Sequence, residues 1–386
     1  MMDKIKISSL GTFDEQKFKK LADERQDWLH SGDDMVINPD YKVNKLAQEI
    51  KGTNNLVMVN KITEESDEYK TLLFSNIKGN SLPLFKAGQK VAVTVVIDDK
   101  YYTRPYTITC SPSRALDGEI TITVKNDSLD TVSNFLFNNV VIGEKVIISE
   151  PFGDFYYDFF RDTKNIIAVI SDDGIFPIYS MVQAVVDRSE KYNLTIFYSA
   201  KTEKDLLFKD ELLEYADKLD NIKVNFVLSE EEKEGYMTGF VSLNRIKEFY
   251  EEGNTTFFIS GGEGLLKYLN KEIEELKLPK KFVRYESFLP KCGIKRVVKY
   301  NLTIYVNDEK IEIPCYNNKT IMEAIVYGGI YIPSKCQNGS CGFCRSELVC
   351  GEVKIVNDKR TKADKKYNYI HPCTTYPLSD LEIIVR

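Results

Sequence analysis

No stretch of this chain approaches the ~20 consecutive apolar residues that would carry a helix across a bilayer. Its first residues, MMDKIKISSLGTFDEQ, lack the apolar core of a secretory signal. Both absences predict a cytoplasmic chain with no membrane insertion. A surplus of basic charge is missing too: 52 Lys and Arg face 58 Asp and Glu, for a formal net charge of −6. A general nucleic-acid binder would show a basic face, so nucleic acid is not expected as a partner. There is no long low-complexity segment and no internal repeat.

The chain has 386 residues, 43% of them apolar and 12% aromatic, enough for two or three domains with separate cores. Residues 1–52 read as an N-terminal helical extension, with Phe18, Leu21, Arg25, Trp28 and Leu29 forming a short stripe at helical spacing. Over 53–158, short runs such as NLVMVNKI, YKTLLFSNI, QKVAVTVVI and EITITVK are separated by turn residues, which predicts an antiparallel barrel or sandwich. Over 159–290, NIIAVI, NLTIFYSA, IKVNFVLS and TTFFISGG alternate with helical segments, which predicts a parallel α/β sheet of the Rossmann-like kind. Over 298–386 come two strand-like runs, a helical segment TIMEAIVYGG, a cysteine-rich loop and a last run, DLEIIVR.

The eight cysteines are unevenly spread, three of them falling in KCQNGSCGFC. That clustering favours a reduced compartment and a metal centre over a disulfide scaffold. Cys336, Cys341 and Cys344 stand as C-x4-C-x2-C, with Cys373 further on in YIHPCTTYPLSD. Four thiolates at this spacing suit a plant-type [2Fe–2S] cluster. The rival is structural zinc, whose ligands usually come as two short knuckles where here there is one. Gly339 and Gly342 allow the tight turns that such a loop needs. Cys110, Cys292, Cys315 and Cys350 lie outside the spacing and read as buried or free thiols.

From Tyr300 to Arg386, with SKCQNGSCGFCRSELVCGEV and HPCTTYPLSDLEI, the sequence resembles a plant-type ferredoxin domain, a β-grasp fold. Gln337 stands where such domains often carry arginine. The resemblance makes Cys336, Cys341, Cys344 and Cys373 the cluster ligands.

In the β-rich part stands TRPYTITCSP, Thr103 to Pro112, followed by ITVKNDSLDTVSNFL and SEPFGDF. A strand that brings Arg, Tyr and Thr together can offer a diphosphate its counter-charge, a ring its stacking partner and a flavin edge a hydroxyl. In the order RPYT, TVK, VSNFL, PFGDF, the span resembles the FAD domain of the ferredoxin–NADP reductase-like flavoproteins, and the likeness extends to about residue 290. It implies that Arg104 and Pro105 lie at the FAD site, with Arg104 on the pyrophosphate. Tyr106 would stack on the isoalloxazine and Thr107 would sit near its reactive edge. Val124 and Lys125 would lie at the ribityl or adenine side, and Ser133 at the pyrophosphate. Asp130 replaces the family's usual glycine.

The stretch ISDDGIFP, Ile170 to Pro177, matches the family's A-G-G-x-G-I-T-P turn at its end but not at its start, leaving Gly174 with Asp172 and Asp173 before it. Ser260, Gly261, Gly262 and Glu263 match a second motif, C-G-P-x-x-M, with serine in place of cysteine. The resemblance assigns Ser260 and Thr107 to orienting nicotinamide and flavin. Two readings of the aspartates stay open. They cap a helix beginning near Pro177, or they occupy the anion site and repel a phosphate.

The family implies an electron relay from NAD(P)H through FAD and a [2Fe–2S] cluster to a partner redox protein. The alternative is an electron-transfer subunit that exchanges electrons between protein donor and acceptor and does not itself use NAD(P)H. Phe288, in RYESFLP, reads as a core aromatic or one near the flavin.

Overall fold

The computed structural model describes residues 54–385 except Asp99, Leu129, 276–277, 287–295, 307–308 and Tyr331, together with Lys20 and Asp23. The expected N-terminal extension and its apolar stripe, like Phe288 and Cys292, fall outside the described residues.

Six strands, β1 (Asn54–Glu64), β2 (Tyr69–Asn76), β3 (Lys90–Ile97), β4 (Lys100–Thr107), β5 (Glu119–Lys125) and β6 (Lys145–Ser149), form one antiparallel sheet in the order β4-β3-β6-β1-β2-β5. The edges meet through a bridge between Ile108 and Ile122 and the Thr109 N–H donating to the Thr121 carbonyl at 2.9 Å, which closes the sheet into a barrel. Alternation puts Leu72 and Phe74 of β2, and Ile120, Ile122 and Val124 of β5, into one core. Helix α1 (Thr131–Asn138) adds Val132 and Leu136 to that core. Asp130 is its N-cap and accepts the Ser133 N–H at 2.7 Å.

The second sheet is parallel, with β7 (Asn165–Ser171), β8 (Asn193–Ala200), β9 (Ile222–Leu228), β10 (Met237–Thr238), β11 (Thr255–Ser260) and β12 (Val283–Tyr285) in the order β10-β9-β8-β7-β11-β12. The continuous apolar run of β7 follows from burial on both faces. Ile166, Ala168 and Ile170 join the core under helix α2 (Ile175–Val186), while Ile167 and Val169 join the core on the side of helix α4 (Glu263–Glu275). Helix α3 (Lys209–Lys218) follows β8. Strand order reverses between β7 and β11, so the turns after these strands meet at the switch point where α/β sheets bind ligands. The helix expected near Pro177 begins two residues earlier, at Ile175. Pro177 lies in its first turn, where N–H groups have no intrahelical acceptor and proline is tolerated.

The third sheet combines β13 (Lys299–Val306), β14 (Glu309–Tyr316), β15 (Ser346–Cys350), β17 (Tyr369–Ile370) and β19 (Leu381–Val385) in the order β14-β13-β19-β15-β17, with a separate ribbon of β16 (Val353–Ile355) and β18 (Thr375–Pro377). Helix α5 (Ile321–Tyr327) packs Ile321 and Ile325 on its core and opens with a capping box between Thr320 and Glu323. The cysteine loop runs from the end of α5 to β15.

Candidate functional site

Strand β4 carries the Arg-Pro-Tyr-Thr run at the end of its sheet's strand order, where a proline's missing N–H costs no ladder bond. The Arg104 guanidinium pairs with the Asp130 carboxylate, whose other oxygen is held by the Ser133 N–H. A carboxylate held by an arginine and a helix N-terminal N–H stands in for the oxygens of a phosphate, so the donors here fit an anion cradle. Tyr106 lies in the barrel core, 7% exposed, and shares a 2.8 Å hydrogen bond with the Ser133 hydroxyl. Burial pushes its phenol up. Little of this ring is presented for the stacking expected of it. Val124 is wholly buried, which leaves its main chain for any ligand, and Lys125 lies over the Tyr69 ring at 5.2 Å. Thr107 ends β4 opposite Lys90 of β3. The Lys90 ammonium reaches across to buried Glu286, just past β12, and so joins barrel to nucleotide sheet beside Thr107.

At the switch point, Gly174 packs so tightly that a Cβ there would lie 2.2 Å from the Ser260 carbonyl oxygen. A Cβ on Gly261, at φ +156°, would meet the Ser171 hydroxyl at 2.4 Å, and that hydroxyl accepts the Gly262 N–H at 3.3 Å. The two turns are therefore in direct contact. Neither Asp172 nor Asp173 caps the helix, because the N-caps at Ser171 and Gly174 have no side-chain cap bond, and the capping expectation is corrected. Asp173 instead accepts the Tyr69 hydroxyl at 2.6 Å, tying the turn to the barrel. Burial, then the Asp173 charge, pushes the Tyr69 phenol well up. Asp172 takes a left-handed φ of 49°, and its Oδ2 lies 3.5 Å from where a Cβ of Gly262 would stand, which puts the carboxylate between the two turns. Ser260, expected to orient a nicotinamide, is fully buried, and its hydroxyl has no hydrogen-bond partner among the described residues. Its side chain therefore presents no surface to the crevice, while its carbonyl lies directly against Gly174.

The four predicted ligands converge. Cys344 and Cys373 lie with sulfurs 3.4 Å apart, and the Cys341 N–H donates to the Cys336 sulfur at 3.4 Å. Hydrogen bonds from Cys341 and then Cys373 hold the Cys336 thiol far below the usual range. Gly339 and Gly342 turn the loop at φ +77° and +70°. His371 Nδ1 bonds the Gly339 carbonyl oxygen at 2.7 Å and braces it from the Cys373 side. Four thiols with an N–H aimed at one sulfur suit a [2Fe–2S] centre. Cys336, Cys344 and Cys373 are buried while Cys341 is exposed, which gives the loop one solvent-facing edge. Cys350 is exposed on β15, apart from the set, and Cys110 and Cys315 are buried thiols.

Sequence reasoning missed how this loop meets the barrel. The Gln337 side-chain amide donates to the Thr103 carbonyl, next to Arg104. The Lys335 ammonium lies 5.2 Å from the Phe152 ring centroid, in the barrel's PFGDF run, and 5.5 Å from that of Phe343. Lys100 Nζ also reaches the Tyr327 carbonyl at 3.5 Å. No local pattern marks these contacts. The Asp130 cap has a local signature that went unread, an aspartate three residues before Ser133.

Three stretches of the chain match known domain families. Residues 56–157 match an oxidoreductase FAD-binding domain, 173–271 an oxidoreductase NAD-binding domain, and 304–378 a 2Fe-2S iron-sulfur cluster binding domain. The chain is 24% identical over 358 residues to a glycine betaine monooxygenase reductase subunit of Chromohalobacter salexigens, covering 86% of this chain and 95% of the relative. It is 23% identical to the NADH oxidoreductase HCR of Escherichia coli, covering 84% and 96%. Among solved structures it shares the fold of phthalate dioxygenase reductase, with a TM-score of 0.67 at 19% identity over 86% of this chain and 97% of that one. No helix among the described residues is long and apolar enough to cross a membrane. With FAD-binding, NAD-binding and [2Fe–2S] domains in that order, the chain is a ferredoxin reductase-like flavoprotein with a C-terminal plant-type ferredoxin domain.

Proposed function

We propose that this chain is a reductase that takes electrons from NAD(P)H and delivers them, through FAD and a [2Fe–2S] cluster, to a partner redox protein. The observation that carries the reading is the Gln337–Thr103 contact, which seats the cysteine loop on the strand bearing Arg104 to Thr107. When bound, FAD exchanges electrons in pairs or singly and the cluster carries them singly, which joins a hydride donor to a one-electron acceptor. The units are taken as 53–158, 159–290 and 298–386, with 1–52 as an extension.

The chain's own residues supply positions and charge. Arg104 and the Ser133 N–H would hold the flavin phosphates, Pro105 and the Val124 main chain would line the site, and Lys125 would lie at its outer side. Thr107 would sit at the flavin's reactive edge, beside the Lys90–Glu286 pair. Gly174, Gly261 and Gly262 let the nucleotide turns approach closely, and Ser260 supports them from beneath. Cys341 and Phe343, the latter 57% exposed, form the face a protein partner would meet. The likeness to a monooxygenase reductase subunit supports an oxygenase as that partner. The free thiols support a cytoplasmic location. The NAD-binding match runs from Asp173 in the first nucleotide turn through the second, which supports nucleotide use over a subunit without it.

The test is anaerobic mixing of the iron- and FAD-loaded chain with NADH and then NADPH while the visible spectrum is recorded. Rapid flavin bleaching followed by the reduced cluster's EPR signal supports the reading. Bleaching by dithionite but by neither nucleotide overturns it.

A further inference from the structure

We infer that Asp130 is an internal competitor for the flavin's phosphate: its carboxylate occupies the anion cradle and weakens the binding of phosphate-bearing flavins selectively. The inference rests on the flavin reading above, in which Arg104 and the Ser133 N–H form that cradle.

Both carboxylate oxygens are engaged, one by the Arg104 guanidinium and the other by the Ser133 N–H at 2.7 Å. This is the two-point grip that an arginine and a helix N-terminus would offer a phosphate. The side chains of Arg104 and Asp130 are 25% and 20% exposed, so their attraction is screened less than that of a surface pair. The Ser133 hydroxyl is taken as well, by Tyr106 at 2.8 Å, with both residues buried. The groups that would grip a phosphate are thus already engaged from within the chain.

An entering phosphate must displace the carboxylate or settle beside it. Displacement gives up the ion pair and the cap of α1, and cohabitation sets two anions together. A glycine at this position would impose neither cost. Riboflavin, which has no phosphate, faces neither cost in any variant. A cap alone would need only the bond to Ser133; the simultaneous grip on Arg104 is what creates competition.

The test compares riboflavin, FMN and FAD binding to the flavin-stripped full-length chain and its Asp130→Asn and Asp130→Gly variants, read by quenching of flavin fluorescence. Asparagine keeps a cap and loses the charge, whereas glycine frees both donors. FMN and FAD are expected to bind Asp130→Gly about tenfold or more tighter, with riboflavin within about twofold of wild type. Asp130→Asn should show part of the gain, and it keeps the question decidable if the glycine variant folds poorly. Equal gains for all three flavins, no gain, or weaker FAD binding to the variants would overturn the inference while leaving the flavin reading intact. Failure of every flavin to bind any of the three proteins would overturn both.

Discussion

The Gln337 amide donates to the Thr103 carbonyl, so one hydrogen bond ties the residue after Cys336 to the residue before Arg104. A replacement that keeps the bulk and removes the donor, Gln337→Leu, leaves that carbonyl without this partner. The loss of about 1 kcal/mol corresponds to about fivefold in the docking equilibrium constant, the upper limit on the effect. Stopped-flow reduction should show flavin bleaching by nucleotide unchanged and cluster reduction slowed by up to that factor. Equal rates would remove this contact from the electron path.

Asp172 lies between the two nucleotide turns, facing Gly262. A carboxylate a few ångströms from a nucleotide phosphate opposes it, and screening in the open crevice reduces the effect to about tenfold. Asp172→Asn is therefore expected to lower KM for the reduced nucleotide by about tenfold with kcat changed far less. Steady-state assays with ferricyanide measure this, and an unchanged KM would show that the carboxylate points away from the bound nucleotide.

Cys373 lies in the thiol set, and Cys350 is exposed at the end of β15. Cys373→Ser should abolish the cluster's visible absorption and EPR signal while flavin bleaching by nucleotide persists. Cys350→Ser should keep iron at the wild-type level. Cluster loss in the second variant would reassign the ligands.

Asp187, at the end of α2, accepts the hydroxyls of Ser111 and Ser113 from the barrel and the Ser189 N–H at 3.0 Å. Burial pushes its carboxyl up, but the hydrogen bonds from Ser111, Ser113 and Ser189 outweigh this and hold it below its ordinary value. A carboxylate depressed in the folded state stabilises above its unfolded value and loses that stabilisation as pH falls through the folded one. The Ser111→Ala, Ser113→Ala double variant should lose about 1 kcal/mol at neutral pH after solvent screening. Its deficit should shrink below about pH 4, where the wild type loses the same stabilisation. Urea titrations at pH 7 and pH 3 check both parts.

Local chemistry made much of this protein legible. The C-x4-C-x2-C spacing fits a loop of thiolates whatever surrounds it, and Arg-Pro-Tyr-Thr on an alternating run reads as a half-exposed strand, its flavin role coming only from the family resemblance. The unbroken apolar run NIIAVI signals a strand covered on both faces, as β7 is. The aspartates of the first nucleotide turn were less legible. Local pattern left them open between helix caps and occupants of the anion site, whereas Asp173 is bonded to a tyrosine 104 residues away.

Periodicity and ligand spacing, which depend on neighbouring residues, determined the three modules and the cluster loop. Tertiary structure alone decided what their charged and polar groups face. Gln337 meets Thr103 across 234 residues, and Asp130 meets Arg104 across 26. Such partners are chosen by how sheets and helices pack, and packing energy is summed over whole faces that no short window of sequence contains. The same aspartate is thus a helix cap by local pattern and the occupant of an anion cradle once the barrel closes around it.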